Sequence, residues 1–125
     1  MPMMSGERLT KPERLNSSRQ FQQVYASGRR ASGARLTFFW RPNELGFNRL
    51  GLSTSKKRFK LSVWRHRLQR YLREAFRLNK TRLLPGYDIV LSVQRFNLTP
   101  EVKSPFKEIE QEMLCLAQKA RLLKG

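Results

Sequence analysis

Hydrophobic residues at helical spacing predict a first helix near the N-terminus. Ser17 or Ser18 can cap it with a side-chain hydroxyl. Gly28 can end it in the left-handed conformation. We therefore expect a short helix over about residues 18–27, in which three aromatic or branched side chains share one face: Phe21, Val24 and Tyr25.

Two segments rich in strand-forming residues follow this helix. The first is Leu-Thr-Phe-Phe-Trp-Arg at residues 36–41, and the second extends over residues 47–55. Residues 42–46, Pro-Asn-Glu-Leu-Gly, form a turn between them. We expect these two strands to pair as a hairpin, with a further short strand around residues 30–34.

The next predicted element is a long helix from about Ser62 to Asn79. At about 100° per residue, its apolar side chains fall within an arc centred near Trp64 and are expected to pack on the sheet: Trp64, Leu68, Tyr71, Leu72, Ala75 and Leu78. The opposite side is polar, and it carries His66, Arg70, Arg73 and Arg77. Arg65 and Arg67 fall on the two flanks.

A nearly continuous apolar run at residues 88–93 predicts a central strand covered on both faces. The last helix has Ser104 as its cap and Pro105 in its first turn, and it buries Phe106, Ile109, Met113, Leu116, Ala117 and Ala120. This order of elements predicts an α/β sandwich of one sheet and packed helices. Residues 1–15 are expected to form a loose basic N-terminal segment, and residues 16–125 a single domain.

The charge of the chain indicates a polyanionic partner. Its 125 residues suffice for one domain, and 26 Lys and Arg against 9 Asp and Glu give a net charge of +17. Residues 56–82 alone contain 11 basic side chains and 1 acidic one. A solvated charged face is the alternative, but a self-repelling block destabilises a fold unless a counter-charge offsets it. We therefore expect an RNA-binding domain whose long helix contacts phosphates.

The cysteine content and the lengths of the apolar segments indicate the cellular compartment of the protein. A single cysteine, Cys115, excludes an internal disulfide framework and a cysteine-rich zinc site, and it favours a reducing environment. The longest apolar stretches, such as residues 89–93, are far too short to span a bilayer. The N-terminal residues lack a basic region followed by an apolar run. We therefore expect a cytoplasmic protein with no membrane partner.

The sequence offers no convincing catalytic group. His66 is the only histidine, whereas a protein nuclease needs paired acid and base groups or carboxylates that hold metal ions. Glu108 and Glu112 share an outward helix face that we interpret as solvated. Cys115 lies opposite the apolar stripe with no histidine to activate it. We expect no catalytic or metal-binding residue and, without a glycine-rich phosphate loop, no small-molecule substrate.

Three aromatic residues admit two interpretations: Phe21, Tyr25 and Phe39. Each one taken alone fits a core position better. Taken together with their basic neighbours they also fit a nucleic-acid site, because proteins hold unpaired bases on aromatic faces beside arginines.

Two motifs carry a specific resemblance to a known family. Residues 50–57 are Leu-Gly-Leu-Ser-Thr-Ser-Lys-Lys, and residues 65–77 are Arg-His-Arg-Leu-Gln-Arg-Tyr-Leu-Arg-Glu-Ala-Phe-Arg. With the first helix and residues 84–90, they make roughly residues 13–120 similar to the protein subunit of bacterial ribonuclease P. The resemblance implies an α+β fold, a single-domain αβββαβα sandwich with a left-handed βαβ crossover, like the second domain of ribosomal protein S5.

The resemblance also implies a function. In that family a large RNA carries the active site and its Mg²⁺ ions and removes the 5′ leader of precursor tRNA. It implies an accessory subunit whose partners are the ribonuclease P RNA and precursor tRNA, with Mg²⁺ held by RNA and substrate and not by a protein site. One set of residues would bind the RNA subunit: Lys56, Lys57, Arg65, His66, Arg67, Arg70, Arg73 and Arg77. Phe21, Tyr25 and Phe39 would line a leader cleft between the first helix and the sheet.

The chain departs from the family motif at two positions. His66 stands where asparagine is usual, and Gln69 stands where a basic residue is usual. Two other classes of function are the alternatives. One is a ribosomal or architectural RNA-binding protein without a processing role. The other is a protein-only endonuclease, which the missing acid and base groups disfavour.

Overall fold

The computed structural model describes residues 11–15, 17–54, 62–93 and 105–124. Its elements follow the order α1 (Ser18–Ser27), β1 (Arg29–Ser32), β2 (Leu36–Pro42), β3 (Arg49–Thr54), α2 (Ser62–Asn79), β4 (Tyr87–Val93) and α3 (Pro105–Lys119), with short 3₁₀ turns at Lys11–Glu13 and Lys80–Arg82. The α+β class and the αβββαβα order confirm the expected fold. The left-handed crossover stays a prediction.

The four strands form one sheet in the order β1–β2–β4–β3. Strand β4 is antiparallel to β2 on one side and parallel to β3 on the other, so the expected hairpin between β2 and β3 is wrong. Strand β4 takes one of the two interior places because Ile89, Val90 and Leu91 are fully buried on alternating faces. The prediction of a central strand there is confirmed, and β1 is the expected short strand.

Helices α2 and α3 pack on one face of the sheet and enclose the main core. Helix α3 buries most of the expected stripe: Ile109, Met113, Leu116 and Ala117. Its expected cap, Ser104, lies outside the described residues. Within the described ranges, no helix combines the length and the apolar character needed to cross a membrane.

Helix α2 buries a face that is rotated from the one its sequence predicts. Leu78, placed within the arc around Trp64, is 51% exposed, so its assignment to the core is wrong. The buried side chains centre about 60° further round the helix, which brings Phe76 and Asn79 inward. The rotation follows from packing against α3 as well as β3, since Asn79 Nδ2 donates a hydrogen bond to Glu110 Oε2 (2.8 Å).

Helix α1 lies on the opposite face of the sheet, and both of its ends are set by single residues. Ser17 Oγ accepts a hydrogen bond from the Gln20 backbone N–H (3.2 Å), which confirms the expected cap. Gly28 is extended and not left-handed, so the expected stop is wrong. Glycine fits there because a Cβ would lie 2.4 Å from the Val24 carbonyl oxygen and 2.7 Å from that of Trp40.

The chain just before α1 packs along the outer edge of β3. The Leu15 N–H donates to the Leu50 carbonyl oxygen (2.9 Å), and the Leu15 side chain is buried. The Lys80 ammonium group lies 3.0 Å from a carboxylate oxygen of Glu13. Contacts to the domain therefore already begin within the segment that the sequence marks as loose. The division into residues 1–15 and 16–125 stays a prediction.

The acidic face of α3 is not solvated as expected. The Glu112 carboxylate accepts hydrogen bonds from the backbone N–H groups of Arg35 (2.8 Å) and Leu36 (2.6 Å). The Arg35 guanidinium also pairs with Glu112 (3.2 Å) and with Glu108 (3.0 Å). The prediction is wrong because the turn between β1 and β2 leaves backbone donors without partners in the sheet, and Glu112 satisfies them.

Candidate nucleic-acid interface

The basic face of α2 is largely exposed. His66, Arg70 and Arg73 lie on the solvent side of the helix, as their spacing predicts. Arg67 is exposed as well, and its guanidinium carbon lies 5.8 Å from the centre of the Trp64 ring, within cation–π range. The structure therefore brings four of the predicted RNA-binding side chains to one exposed surface.

The other members of the predicted set are placed differently. Arg77 is half-buried, and its Nη2 group donates to Glu74 Oε1 on the preceding turn of α2. Arg65 is half-buried on the flank of the helix. Lys56 and Lys57 lie outside the described residues. The most accessible positive charge of α2 is thus provided by three arginines: Arg67, Arg70 and Arg73.

Unlike Arg35 and Arg49, these three arginines form no ion pair with a carboxylate of the described residues. Arg35 is held by Glu108 and Glu112, and Arg49 is held by Asp88. Across the described parts of the chain, no carboxylate pairs with Arg67, Arg70 or Arg73. Their charge is therefore available to an external anion, and the guanidinium group matches the geometry of phosphate as well as that of carboxylate.

The three predicted cleft aromatics form a continuous row. The Phe21 and Tyr25 ring centres lie 6.5 Å apart, and those of Tyr25 and Phe39 lie 4.9 Å apart in an edge-to-face arrangement. Tyr25 is 43% exposed, while Phe21 and Phe39 are half-buried against a small core of Leu15, Val24 and Val90. The row therefore has both a core side and a side that is open to a ligand.

The position of this row follows from the way α1 crosses the sheet. Tyr25 contacts Phe39 on β2, and Val24 packs with Val90 on β4. On edge strand β3, a Cβ added to Gly51 would lie 2.6 Å from Phe21 Cζ. The Phe21 ring lies this close to β3 only because Gly51 has no side chain.

A cavity of about 360 Å³, termed here the α1–α2 cavity, joins the two predicted sites. Phe21, predicted to contact the leader, and Arg73, predicted to bind the RNA subunit, both line it. The sequence did not assign its other walls, because they come from segments far apart in the chain. They include Arg14, Gly51, Leu52 and Gln69. Gln69 carried a signal as a departure from the family motif, and Gly51 and Leu52 belong to the motif at residues 50–57, to which no role at this cavity was assigned.

A buried ion pair joins the first residue of β3 to the second residue of β4. Asp88 is fully buried, and its carboxylate accepts two hydrogen bonds of 2.7 Å from Arg49 and one of 2.9 Å from Asn43. The hydrogen bond to Asp88 raises the pKa of Arg49 above its ordinary value, against a smaller opposing effect of burial. Asp88 therefore stabilises the sheet and is engaged by cationic and amide donors.

The described residues carry cationic and aromatic groups that are suited to binding nucleic acid. Over the ranges that the structure describes, no three His, Cys, Asp or Glu side chains gather in a way that fits a metal ion. Asp88 and Glu112 are engaged by Arg49 and Arg35. Cys115 is exposed, as expected. Cations and aromatic rings around a nucleotide-sized cavity are suited to holding single-stranded nucleic acid.

Comparison with known proteins shows the same family from sequence and from fold. The sequence profile of the family Ribonuclease P matches residues 9–121. The ribonuclease P protein component of Thermoanaerobacter sp. (strain X514) is 35% identical over 112 residues, 90% of this chain and 92% of that protein. The structure of the ribonuclease P protein from Thermotoga maritima superposes with a TM-score of 0.74 at 29% identity, over 90% of this chain and 99% of that one. The Staphylococcus aureus protein shares the fold, with a TM-score of 0.75 at 24% identity, over 90% and 98% of the two chains.

Proposed function

Because the chain belongs to the ribonuclease P protein family, we propose that it binds the RNA subunit of ribonuclease P and the 5′ leader of precursor tRNA. It acts as the accessory subunit of this cytoplasmic endoribonuclease. The RNA subunit hydrolyses the phosphodiester bond, and Mg²⁺ is held by RNA and substrate. The protein raises the affinity for the substrate and lowers the repulsion between the two RNAs.

The exposed face of α2 contacts the RNA subunit in this proposal. Arg70 and Arg73 project from successive turns and have no carboxylate partner among the described residues. Each of them can therefore bind a phosphate without breaking an internal ion pair. His66, on the same surface, can donate or accept a hydrogen bond through its two ring nitrogens.

The open side of the aromatic row contacts the leader. Tyr25 is the most exposed of the three rings and already makes an edge-to-face contact with Phe39. An unpaired base can stack on Tyr25 without any change in the core. The leader is the single-stranded part of the substrate, and protein–RNA recognition of this kind favours unpaired bases.

The observation that carries the proposal is the shared cavity of Phe21 and Arg73. A leader that lies on α1 and an RNA that lies on α2 would meet at this cavity. The protein would then hold the leader beside the RNA that cuts it, which is a positioning role and requires no acid or base on the protein.

The affinity of the reconstituted complex for precursor and for mature tRNA tests the proposal. We expect the protein to strengthen binding of the precursor more than binding of the mature tRNA. Equal strengthening of both would contradict the leader contact. The RNA that co-purifies with the protein from cells distinguishes this proposal from the main alternative. A large RNA together with precursor tRNAs would support the proposal, whereas ribosomal RNA would indicate a ribosomal or architectural protein.

A further inference from the structure

The two ends of α2 are held to the domain differently. Every side chain that the helix buries completely lies from Leu68 onward. The first six residues, 62–67, are termed here the N-terminal part of α2, and none of them is buried. This part nevertheless carries His66 and Arg67, which are predicted to bind RNA. Contacts at its boundary with the buried part therefore decide how firmly the RNA-binding end of the helix is fixed.

Gln69 lies at this boundary and ties α2 to β3. Its Nε2 group donates a hydrogen bond to Thr54 Oγ1 (3.0 Å). Thr54 is the last residue of β3, and by strand alternation it follows Leu50 and Leu52 on the face that packs on the main core. Both partners are half-buried. The hydrogen bond is thus partly shielded from water and joins the end of an edge strand to the helix.

The residue type at position 69 suits a contact within the protein. Arg65 lies four residues before Gln69 and Arg73 four residues after it, so the three side chains follow one another along one flank of the helix. A cation between these arginines would be repelled by both, whereas an amide donates to Thr54 without adding charge. The basic residue that is usual at this position in the family is therefore replaced by an uncharged hydrogen-bond donor.

We propose that Gln69 is a positioning residue for binding of the RNA subunit, and that its hydrogen bond to Thr54 fixes the N-terminal part of α2 against β3 before RNA binds. The inference rests on the proposed function, because it takes α2 as the RNA-binding helix. Gln69 acts through the helix and not through a contact of its own with RNA. Without the hydrogen bond, the end of the helix has to be ordered during binding, which lowers the affinity.

Binding of the RNA subunit alone, without tRNA, to Gln69→Leu and Thr54→Val tests this role. Each change removes one partner of the hydrogen bond and nearly keeps the size of the side chain. We expect each variant to bind about threefold to tenfold more weakly than the wild type, the range for one hydrogen bond. The double variant should bind no more weakly than either single variant, since both changes remove the same bond.

Two further variants serve as controls. Thr54→Ser keeps the hydroxyl group that accepts from Gln69 and should keep the wild-type affinity. Gln111→Leu, on the exposed face of α3, removes an amide elsewhere and should also bind as the wild type does. Thermal unfolding of each variant verifies that affinities are compared between folded proteins.

Wild-type affinity in a folded Thr54→Val variant would overturn the proposal, because the hydrogen bond would then only stabilise the fold. Losses that multiply in the double variant would also overturn it and would indicate a direct contact between Gln69 and RNA. The proposed function survives both results if the wild type still binds the RNA subunit and prefers precursor over mature tRNA. The two ideas therefore fail separately.

Discussion

Phe21 and Arg73 lie on different helices and line the same cavity. Phe21 reaches it from α1, above the bare backbone of Gly51, and Arg73 reaches it from the exposed face of α2. The aromatic row and the basic helix therefore form one continuous surface. A single-stranded leader can bind the first while a folded RNA binds the second.

Loss of the exposed ring of the aromatic row should weaken leader binding specifically. In Tyr25→Ala, we expect the preference of the complex for precursor over mature tRNA to fall by about 1 to 3 kcal/mol, the value of one stacked base. Tyr25→Phe keeps the ring and should keep most of the preference. Binding titrations with both tRNAs measure it. A stable Tyr25→Ala variant with full preference would show that the ring only packs against Phe39.

Removal of an unpaired arginine should change the salt dependence of RNA binding. Each lost phosphate contact lowers the slope of log K against log salt by about 0.7 to 1. We expect this change in Arg70→Gln, measured with the RNA subunit alone over a range of salt concentrations. Lys119→Gln, at the exposed end of α3, should leave the slope unchanged. Equal slopes for wild type and Arg70→Gln would place the RNA elsewhere on the protein.

His66 should contribute to binding and not to chemistry. We expect His66→Asn to retain nearly the full single-turnover cleavage rate at saturating protein, because an amide also donates and accepts a hydrogen bond. His66→Ala should lose affinity more than rate. A catalytic acid or base would behave differently, since its loss typically lowers the rate by about 10²- to 10⁴-fold. A hundredfold slower His66→Asn complex would assign this histidine to the reaction.

The two carboxylates that bind Arg35 should differ in their contribution to stability. Glu112→Ala leaves the backbone N–H groups of Arg35 and Leu36 without their acceptor, so we expect a loss of about 2 kcal/mol in the free energy of unfolding. Glu108 contributes only a partly exposed ion pair, and Glu108→Ala should cost less than about 1 kcal/mol. Urea unfolding measures both. Equal losses would mean that the turn between β1 and β2 does not depend on Glu112.

The sequence predicts those elements whose signals are local. Helix α1 begins and ends at the expected residues, Ser18–Ser27, because cap and apolar spacing lie within one short window. The interior strand was recognisable from the run Ile89–Leu91, which is apolar on both faces. The predicted exposure of His66, Arg70 and Arg73 also follows from a local signal, the helical periodicity of α2, and it holds although packing rotates the buried face of the helix.

The features that sequence reasoning missed depend on distant partners. Strand β4 separates β2 from β3, and no signal within the turn at residues 42–46 reveals this insertion. From the sequence of α3 alone, Glu112 is expected to be solvated. The backbone N–H groups of Arg35 and Leu36, which donate hydrogen bonds to it, lie far away in the chain. The α1–α2 cavity is likewise assembled from several segments of the chain. The sequence around Arg14 and Leu52 therefore does not indicate that these two residues line the same cavity.

Cleavage of precursor tRNA by purified components tests the division of labour between protein and RNA most directly. The protein, rigorously freed of RNA, is incubated with precursor tRNA and Mg²⁺, in parallel with the RNA subunit alone and with the complex. We expect no cleavage by the protein, and tighter precursor binding with faster leader removal by the complex than by the RNA subunit. Removal of the leader by the RNA-free protein would place the chemistry in the protein and contradict this account.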